Sequence, residues 1–230
     1  TAELNEYNRI RQETEKSIYE EALNLIQKEH IEEKNTIVVA GEGWHHGVIG
    51  IVASKITELY FKPSILLCEE DGECKGSGRS IPGFDLHEAL MKCTDTIERF
   101  GGHSMAIGIT LKKDMVKKFS QKVEQIAKES KIEEIVPVIY IDSKIELNEI
   151  NKQMVESLKQ LEPFGEGNKM PIFAIKNLKI DSIRALSEGK HLKLTLRENN
   201  TIINAIGFNM GVLADTYRIG DRVDIAGNLE

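Results

Sequence analysis

The sequence predicts an α/β protein with a small β-barrel at its C-terminal end. Three observations point there. Residues 3–29 carry apolar side chains at three- and four-residue steps, the period of a helix. Short β-branched apolar runs then alternate with helical patterns to about residue 136, as in a layered α/β domain. From Ile172 onward the pattern changes to short strands separated by turns.

The opening helix has Leu4, Tyr7, Ile10, Thr14, Ile18, Ala22 and Leu25 on one stripe and Glu, Arg, Gln and Lys opposite. Such a helix needs a partner, either its own domain or something upstream. TIVVA reads as a buried strand, and GEGWHHGVIGIVASKITELY as a loop running into a helix. SILLCEE is a second strand. ECKGSGRS is a third that ends in a glycine-rich loop. In DLHEALMKC, Asp85 and Glu88 have the spacing of a capping box. RFGGHS is a polar turn before the strand MAIGITL, and MVKKFSQKVEQIAKES is an amphipathic helix. VPVIYIDSKI starts a new region. LNEINKQMVESLKQL is predicted helical and leads into the bend EPFGEGNKMPIF, where prolines and glycines cluster. The strands IFAIKNLKIDSIRAL, KHLKLTLRE, TIINAIGFN and DRVDIAGNLE follow, with GVLADTYR as a helical insert. Short strands, turns and one small helix suit a barrel of the OB type. The predicted divisions are 1–35 for the connector helix, 36–136 for the α/β domain, 137–167 for a linker strand and helix, and 168–230 for the barrel.

At 230 residues the chain has room for one or two domains. With 40% hydrophobic and 29% charged residues it has ordinary globular composition. A net charge of −7 counts against a simple electrostatic DNA binder but leaves room for a local basic groove. Cys68, Cys74 and Cys93 form no C-x-x-C pair, which fits a reducing compartment. No run approaches the roughly 20 apolar residues of a membrane span, and no secretory signal is visible, so a cytoplasmic location is expected. A chain that opens on Thr1 and closes inside DRVDIAGNLE reads as a piece of a longer protein, with the barrel truncated at its C-terminal end.

Four polar, glycine-framed places stand out in the α/β domain. Gly43-Trp44-His45-His46-Gly47 directly precedes a helix, whose N-terminus favours anions. In Lys75–Ser80, the hydroxyls of Ser77 and Ser80, the Arg79 fork and glycine-exposed amides of residues such as Gly78 suit a phosphate. Asp85 and His87 are the third place, and Phe100-Gly101-Gly102-His103-Ser104 the fourth. Each has a plainer reading: GSGRS as a turn, Trp44 as a packing residue, and His30, His46 and His87 as surface residues. The acidic run Glu69, Glu70, Asp71 and Glu73 suits a hairpin tip better than a metal cluster. No H-E-x-x-H, H-x-H, D-x-D or G-x-S-x-G motif is present, so anion recognition is better supported than self-contained chemistry.

Taken together and in this order, GWHHGVIGIVASKI, KGSGRSIPGFDLHEAL, RFGGHSMAIGITL and LEPFGEGNKMPIF resemble the RecJ family of single-strand-specific exonucleases. The resemblance covers nearly the whole chain. It implies a connector helix, then a DHHA1-type α/β domain, then an OB domain. It also implies a parent enzyme dependent on Mg²⁺ or Mn²⁺, degrading single-stranded DNA from the 5′ end in repair and recombination. The metal ligands would lie in a DHH domain; no Asp-His-His signature occurs here, so no metal or other cofactor is expected on this chain. The family pattern assigns the 5′-phosphate to Ser77 and Arg79, with Gly78, Ser80, Gly101 and Gly102 around them. It sets His103 against the scissile phosphate as the catalytic candidate, and puts Trp44 and His45 in the same cleft. Ile107 stands where the family pattern has alanine. Candidate strand contacts in the OB domain are Phe173, Arg184, Lys193, Arg197 and Phe208, each of which could equally be a packing or solvated residue. The implied partners are single-stranded DNA and other repair proteins such as a single-strand-binding protein, with no membrane. Two rivals remain: a non-catalytic nucleic-acid-binding scaffold, and a DHH-type phosphodiesterase of small nucleotides.

Overall fold

A computed structural model describes residues 2–165 and 167–230; Thr1 and Glu166 lie outside it, Glu166 within the EPFGEGNKMPIF bend. The chain divides into two compact units that meet in sequence at Pro137 and Val138. Among the described residues, no helix is long and apolar enough to cross a membrane.

In the first unit, helix α1 (Ala2–Lys28) uses only the second half of its apolar stripe. Ile18, Ala22 and Ile26 are buried against α2 (His46–Tyr60), whereas Leu4, Tyr7 and Ile10 are 66%, 62% and 47% exposed. Strands β1 (Ile37–Glu42) and β2 (Ser64–Glu70) are parallel and joined by α2, as the crossover of a parallel pair requires. β2 turns back into β3 (Glu73–Arg79) through Asp71 and Gly72, both at positive φ, as a two-residue hairpin turn demands. β4 (Arg99–His103) and β5 (Ala106–Lys112) complete a sheet of order β1-β2-β3-β5-β4.

Each face of this sheet has its own core. On one, α3 (Leu86–Met91) and α4 (Val116–Glu129) bury Cys74, Ile107, Ile109 and Leu111 together with Phe119 and Val123. On the other, α1 and α2 bury Ile37, Val39 and Leu66. Full burial of each such aliphatic side chain contributes roughly 1.5–3 kcal/mol. Asp85 caps α3 by accepting the Glu88 N–H at 2.9 Å; the reciprocal Glu88 bond of a capping box is not formed among the described residues. The three cysteines are buried. Burial pushes the Cys74 and Cys93 thiols up to about 11.

The predicted third strand is present and continues through its glycine-rich end to Arg79 as the central strand of the sheet, whereas Arg99–His103, predicted as a polar turn, is the edge strand. Glycine weakens strands, so sequence propensity hides how far these two run. The reason is packing. A Cβ at Gly76 would lie 2.4 Å from Leu67 and 2.8 Å from the Leu66 carbonyl oxygen, and one at Gly78 would lie 2.7 Å from Ile107.

The second unit opens on β6 (Ser143–Lys144); Val136–Ile141, predicted to begin a strand, is exposed and unpaired. The predicted 147–161 helix starts later, as α5 (Lys152–Lys159), because the Asn151 side chain accepts the Met154 N–H and caps it. In the bend that follows, the Asn168 amide donates to the carbonyls of Leu161 and Pro163. The predicted strand IFAIKNLKIDSIRAL is one long strand, β7 (Phe173–Leu186), bulged between Ile180 and Ser182. With β8 (His191–Glu198), β9 (Thr201–Gly207) and β10 (Arg222–Gly227) it gives the order β10-β7-β8-β9, with β6 on β7 and the one-turn α6 (Leu213–Thr216) before β10. Its core holds Ile175, Leu178, Ile180 and Leu196. No ladder joins β9 to β10 among the described residues, so the OB unit is barrel-like without being a closed ring.

Candidate functional site

The strand geometry of β3 sorts its side chains by alternation. Gly76 and Gly78 face the α3–α4 core, whereas Lys75, Ser77 and Arg79 face the α2 side. Residues paired across a sheet share a face. Register therefore makes three rows on that side: Arg79–Ala106–His103, Ser77–Gly108–Gly101 and Lys75–Thr110–Arg99. Helix α2 covers the β3 end of these rows. A Cβ on Gly50 would lie 3.1 Å from both the Arg79 Nη2 and the Ser77 Oγ, so glycine there makes room for the pair. Over β5 and β4 the face is open: Gly101, His103 and Gly108 are exposed, and a Cβ added at Gly101 or Gly108 meets nothing within 4 Å.

Arg79 is half-buried. Its Nη1 donates to Ser77 Oγ at 3.0 Å and to the Gly78 carbonyl at 2.8 Å. Among the described residues it has no carboxylate partner, and Nε and Nη2 donate to nothing. A half-buried cation without a counter-charge is costly unless an anion completes it. His103 stands in the same row, two strands away, about 10 Å between Cα atoms. Its Nδ1 accepts the Met105 N–H at 3.3 Å, which leaves Nε2 as the outward atom of an exposed ring. Gly102 lies at φ +138, and a Cβ there would be 2.2 Å from the Ala106 carbonyl oxygen, so only glycine lets β4 turn this way beside His103.

Other candidates are placed differently. The amides of Lys75–Arg79 are drawn into the ladders with β2 and β5 and are not free for an anion. Ser80 is buried; its hydroxyl donates to the Phe84 carbonyl at 2.7 Å, so it pins the turn after β3. Trp44 is 4% exposed and packs over Gly41, so it supports its loop and offers no open face for stacking. His45 caps α2, its Nδ1 accepting the Gly47 N–H at 3.1 Å, so the helix end is already partly satisfied by its own cap. His87 lies against Phe100 with ring centroids 5.4 Å apart.

In the OB unit, Phe173 is a core residue. Arg184 and Lys193 are cross-strand neighbours on the outward side of the sheet, in a row with Ile206. Arg197 Nε is held by Asp181 at 2.5 Å. Phe208 is 68% exposed and meets His191 edge-on at 5.4 Å. Sequence reasoning passed over Gly50, Arg99, Gly108 and Thr110; the alternation of Lys75, Ser77 and Arg79 was the available signal, masked by its intervening glycines.

Comparison with known proteins accounts for both units. The family model of the DHHA1 domain matches residues 33–129, and that of the RecJ OB domain matches residues 141–230. This chain belongs to the RecJ family. Its relatives include the single-stranded-DNA-specific exonuclease RecJ of Bacillus subtilis, 35% identical over 232 residues, covering 99% of this chain and 29% of that protein. The protein of the same name from Escherichia coli is 30% identical over 222 residues, covering 90% and 38%. A crystal structure of RecJ in complex with Mn²⁺ from Thermus thermophilus superposes on all of this chain and 32% of that one, with a TM-score of 0.79 and 29% identity. The RecJ-family chain thus spans about a third of the length of the curated relatives it matches.

Proposed function

We propose that this chain is the substrate-holding part of a RecJ-like 5′→3′ single-stranded-DNA exonuclease acting in repair and recombination. The observation that carries the reading is the half-buried, unpaired Arg79 guanidinium locked onto Ser77, in one row with the outward His103, beside an open glycine platform. Arg79 donates its free N–H groups to the oxygens of a terminal 5′-phosphate, and the Ser77 hydroxyl adds a further donor. A site shaped around a free terminus excludes an internal phosphodiester, which carries another nucleotide there. His103 presents Nε2 toward the next phosphate, where cleavage falls. The outward row of Arg184 and Lys193 in the OB unit, with exposed Phe208, gives the strand a charged and stacking surface.

Crystal structures of relatives were determined with Mn²⁺ and Mg²⁺, and such ions supply a nucleophile and charge neutralisation in phosphodiester hydrolysis. Among the described residues no three His, Cys, Asp or Glu side chains gather to hold an ion. This reading assigns binding and orientation to this chain and metal chemistry to a DHH domain of the parent enzyme. The rival reading as a small-nucleotide phosphodiesterase gives the OB unit nothing to do.

The test is Arg79→Ala in the parent enzyme. Loss of a charge-assisted contact costs on the order of 1.5–3 kcal/mol, so the preference for 5′-phosphate over 5′-hydroxyl ends should fall about ten- to hundredfold. An unchanged preference would remove Arg79 from the end site.

A further inference from the structure

The third row on the open face, Lys75–Thr110–Arg99, is used by nothing described above. Lys75 and Arg99 are exposed on β3 and β4, and Thr110 is half-buried between them on β5. Among the described residues neither cation has a carboxylate within ion-pair distance, in a chain of net charge −7. The nearest acidic side chain by register, Glu73, stands opposite Lys112 in the next row. Between this row and Arg79–His103 lies only Ser77–Gly108–Gly101, whose glycines leave the sheet surface bare. Two residues of strand span about 7 Å and four about 13 Å, so a backbone lying along β5 and β4 from the end site would bring an inner phosphate over the third row.

We propose that Lys75, Thr110 and Arg99 form a second phosphate subsite on the open half of the first sheet, holding an inner backbone phosphate of a strand whose 5′ end sits at Ser77 and Arg79. The proposal rests on the 5′-end reading above and adds a direction: the strand runs along the open β5–β4 half from the Arg79 row toward the Lys75 row. Lysine and arginine flanking a threonine hydroxyl provide two charges and a neutral donor, a combination that fits phosphate and carries no base preference. The bare Gly108–Gly101 row lets sugar and backbone lie close to the sheet between the two anions.

Salt-dependent equilibrium binding separates the two sites. The probes are a 5′-phosphorylated mononucleotide and a short oligothymidylate with either a 5′-phosphate or a 5′-hydroxyl, each bound to this chain. Each phosphate contact on a single strand contributes ~0.7 to the slope of log K against log salt. Lys75→Gln with Arg99→Gln should lower the magnitude of the oligothymidylate slope by about 0.7, the share of the one inner phosphate. It should leave mononucleotide binding and the 5′-phosphate preference as they were. Both side chains are exposed, so the variant is expected to fold, and the Lys75→Arg, Arg99→Lys variant should keep the slope. An unchanged slope in the glutamine variant overturns the subsite, as does failure of the unsubstituted chain to bind the oligothymidylate at low salt. Arg79→Gln reads the other site: it should abolish the end preference while keeping the Lys75–Arg99 contribution to the slope. If it keeps the end preference, the 5′-end reading fails and the slope alone still decides the second subsite.

Discussion

The two faces of the first sheet use glycine in opposite ways. On the α3–α4 face, Gly76 and Gly78 are glycines because neighbouring side chains and backbone already occupy the space of a Cβ. On the α2 face, Gly101 and Gly108 have open space where a Cβ would be. One face is closed by a continuous core. The other is closed only over β1, β2 and part of β3, and stays bare beside Ser77, Arg79 and His103. The same residue type thus marks dense packing on one side and open surface on the other.

The largest effects should come from the crowded glycines. Gly102→Ala meets both a positive φ and the Ala106 carbonyl, and should cost on the order of 3 kcal/mol. Gly76→Ala, against Leu67, Ile109 and the Leu66 carbonyl, should cost about 1–3 kcal/mol. Denaturant titration of each variant measures this. A Gly76→Ala chain as stable as the parent would mean that the closed face is looser than its contacts indicate.

These positions also show where the sequence was legible. The 3.6-residue period of α4 and the β-branched runs of β1 and β2 read directly, because burial on one face writes itself into apolar spacing. The far end of β3 and the whole of β4 did not, because Gly76, Gly78, Gly101 and Gly102 carry no side chain to mark a face, and at Gly76 and Gly78 neighbours fill the inward space. The site was legible as a set of motifs, and Ser77, Arg79 and His103 share one face. Their surroundings were not. Whether Ser80 turns inward or Trp44 packs under its loop depends on contacts with Phe84 and Gly41, which no local pattern announces. The α1 stripe was read at full length although only its second half is buried.

A smaller effect concerns the cover of the α2 face. Glu15 on α1 is nearly buried and accepts from Lys55 of α2 at 2.5 Å and from Arg11 at 2.7 Å. The Lys55 hydrogen bond, helped by Arg11, holds its carboxyl below the usual value of 4.5. A lowered folded-state value means that the contribution is full above about pH 4.5 and is lost as pH falls through that lower value. Because both cations are substantially exposed, Glu15→Gln should cost only about 1 kcal/mol near neutrality. The difference between variant and parent should vanish in acid, and a difference constant from neutral pH into acid would show that packing, not charge, fastens α1.

The smallest effect on stability falls on the bare glycines and sharpens the contrast most. Gly108→Ala adds a methyl to open space in a strand and removes backbone freedom from the unfolded chain, so it should be neutral or stabilising by up to about 1 kcal/mol. Yet the methyl rises from the row between the Arg79 and Lys75 rows, where the strand backbone is proposed to lie. Oligothymidylate binding should therefore weaken while the melting temperature holds or rises. The same substitution at Gly76 moves both quantities down together, because there the methyl disrupts the core. If Gly108→Ala leaves binding untouched, the open face is merely unoccupied surface, and its glycines record nothing about what approaches it.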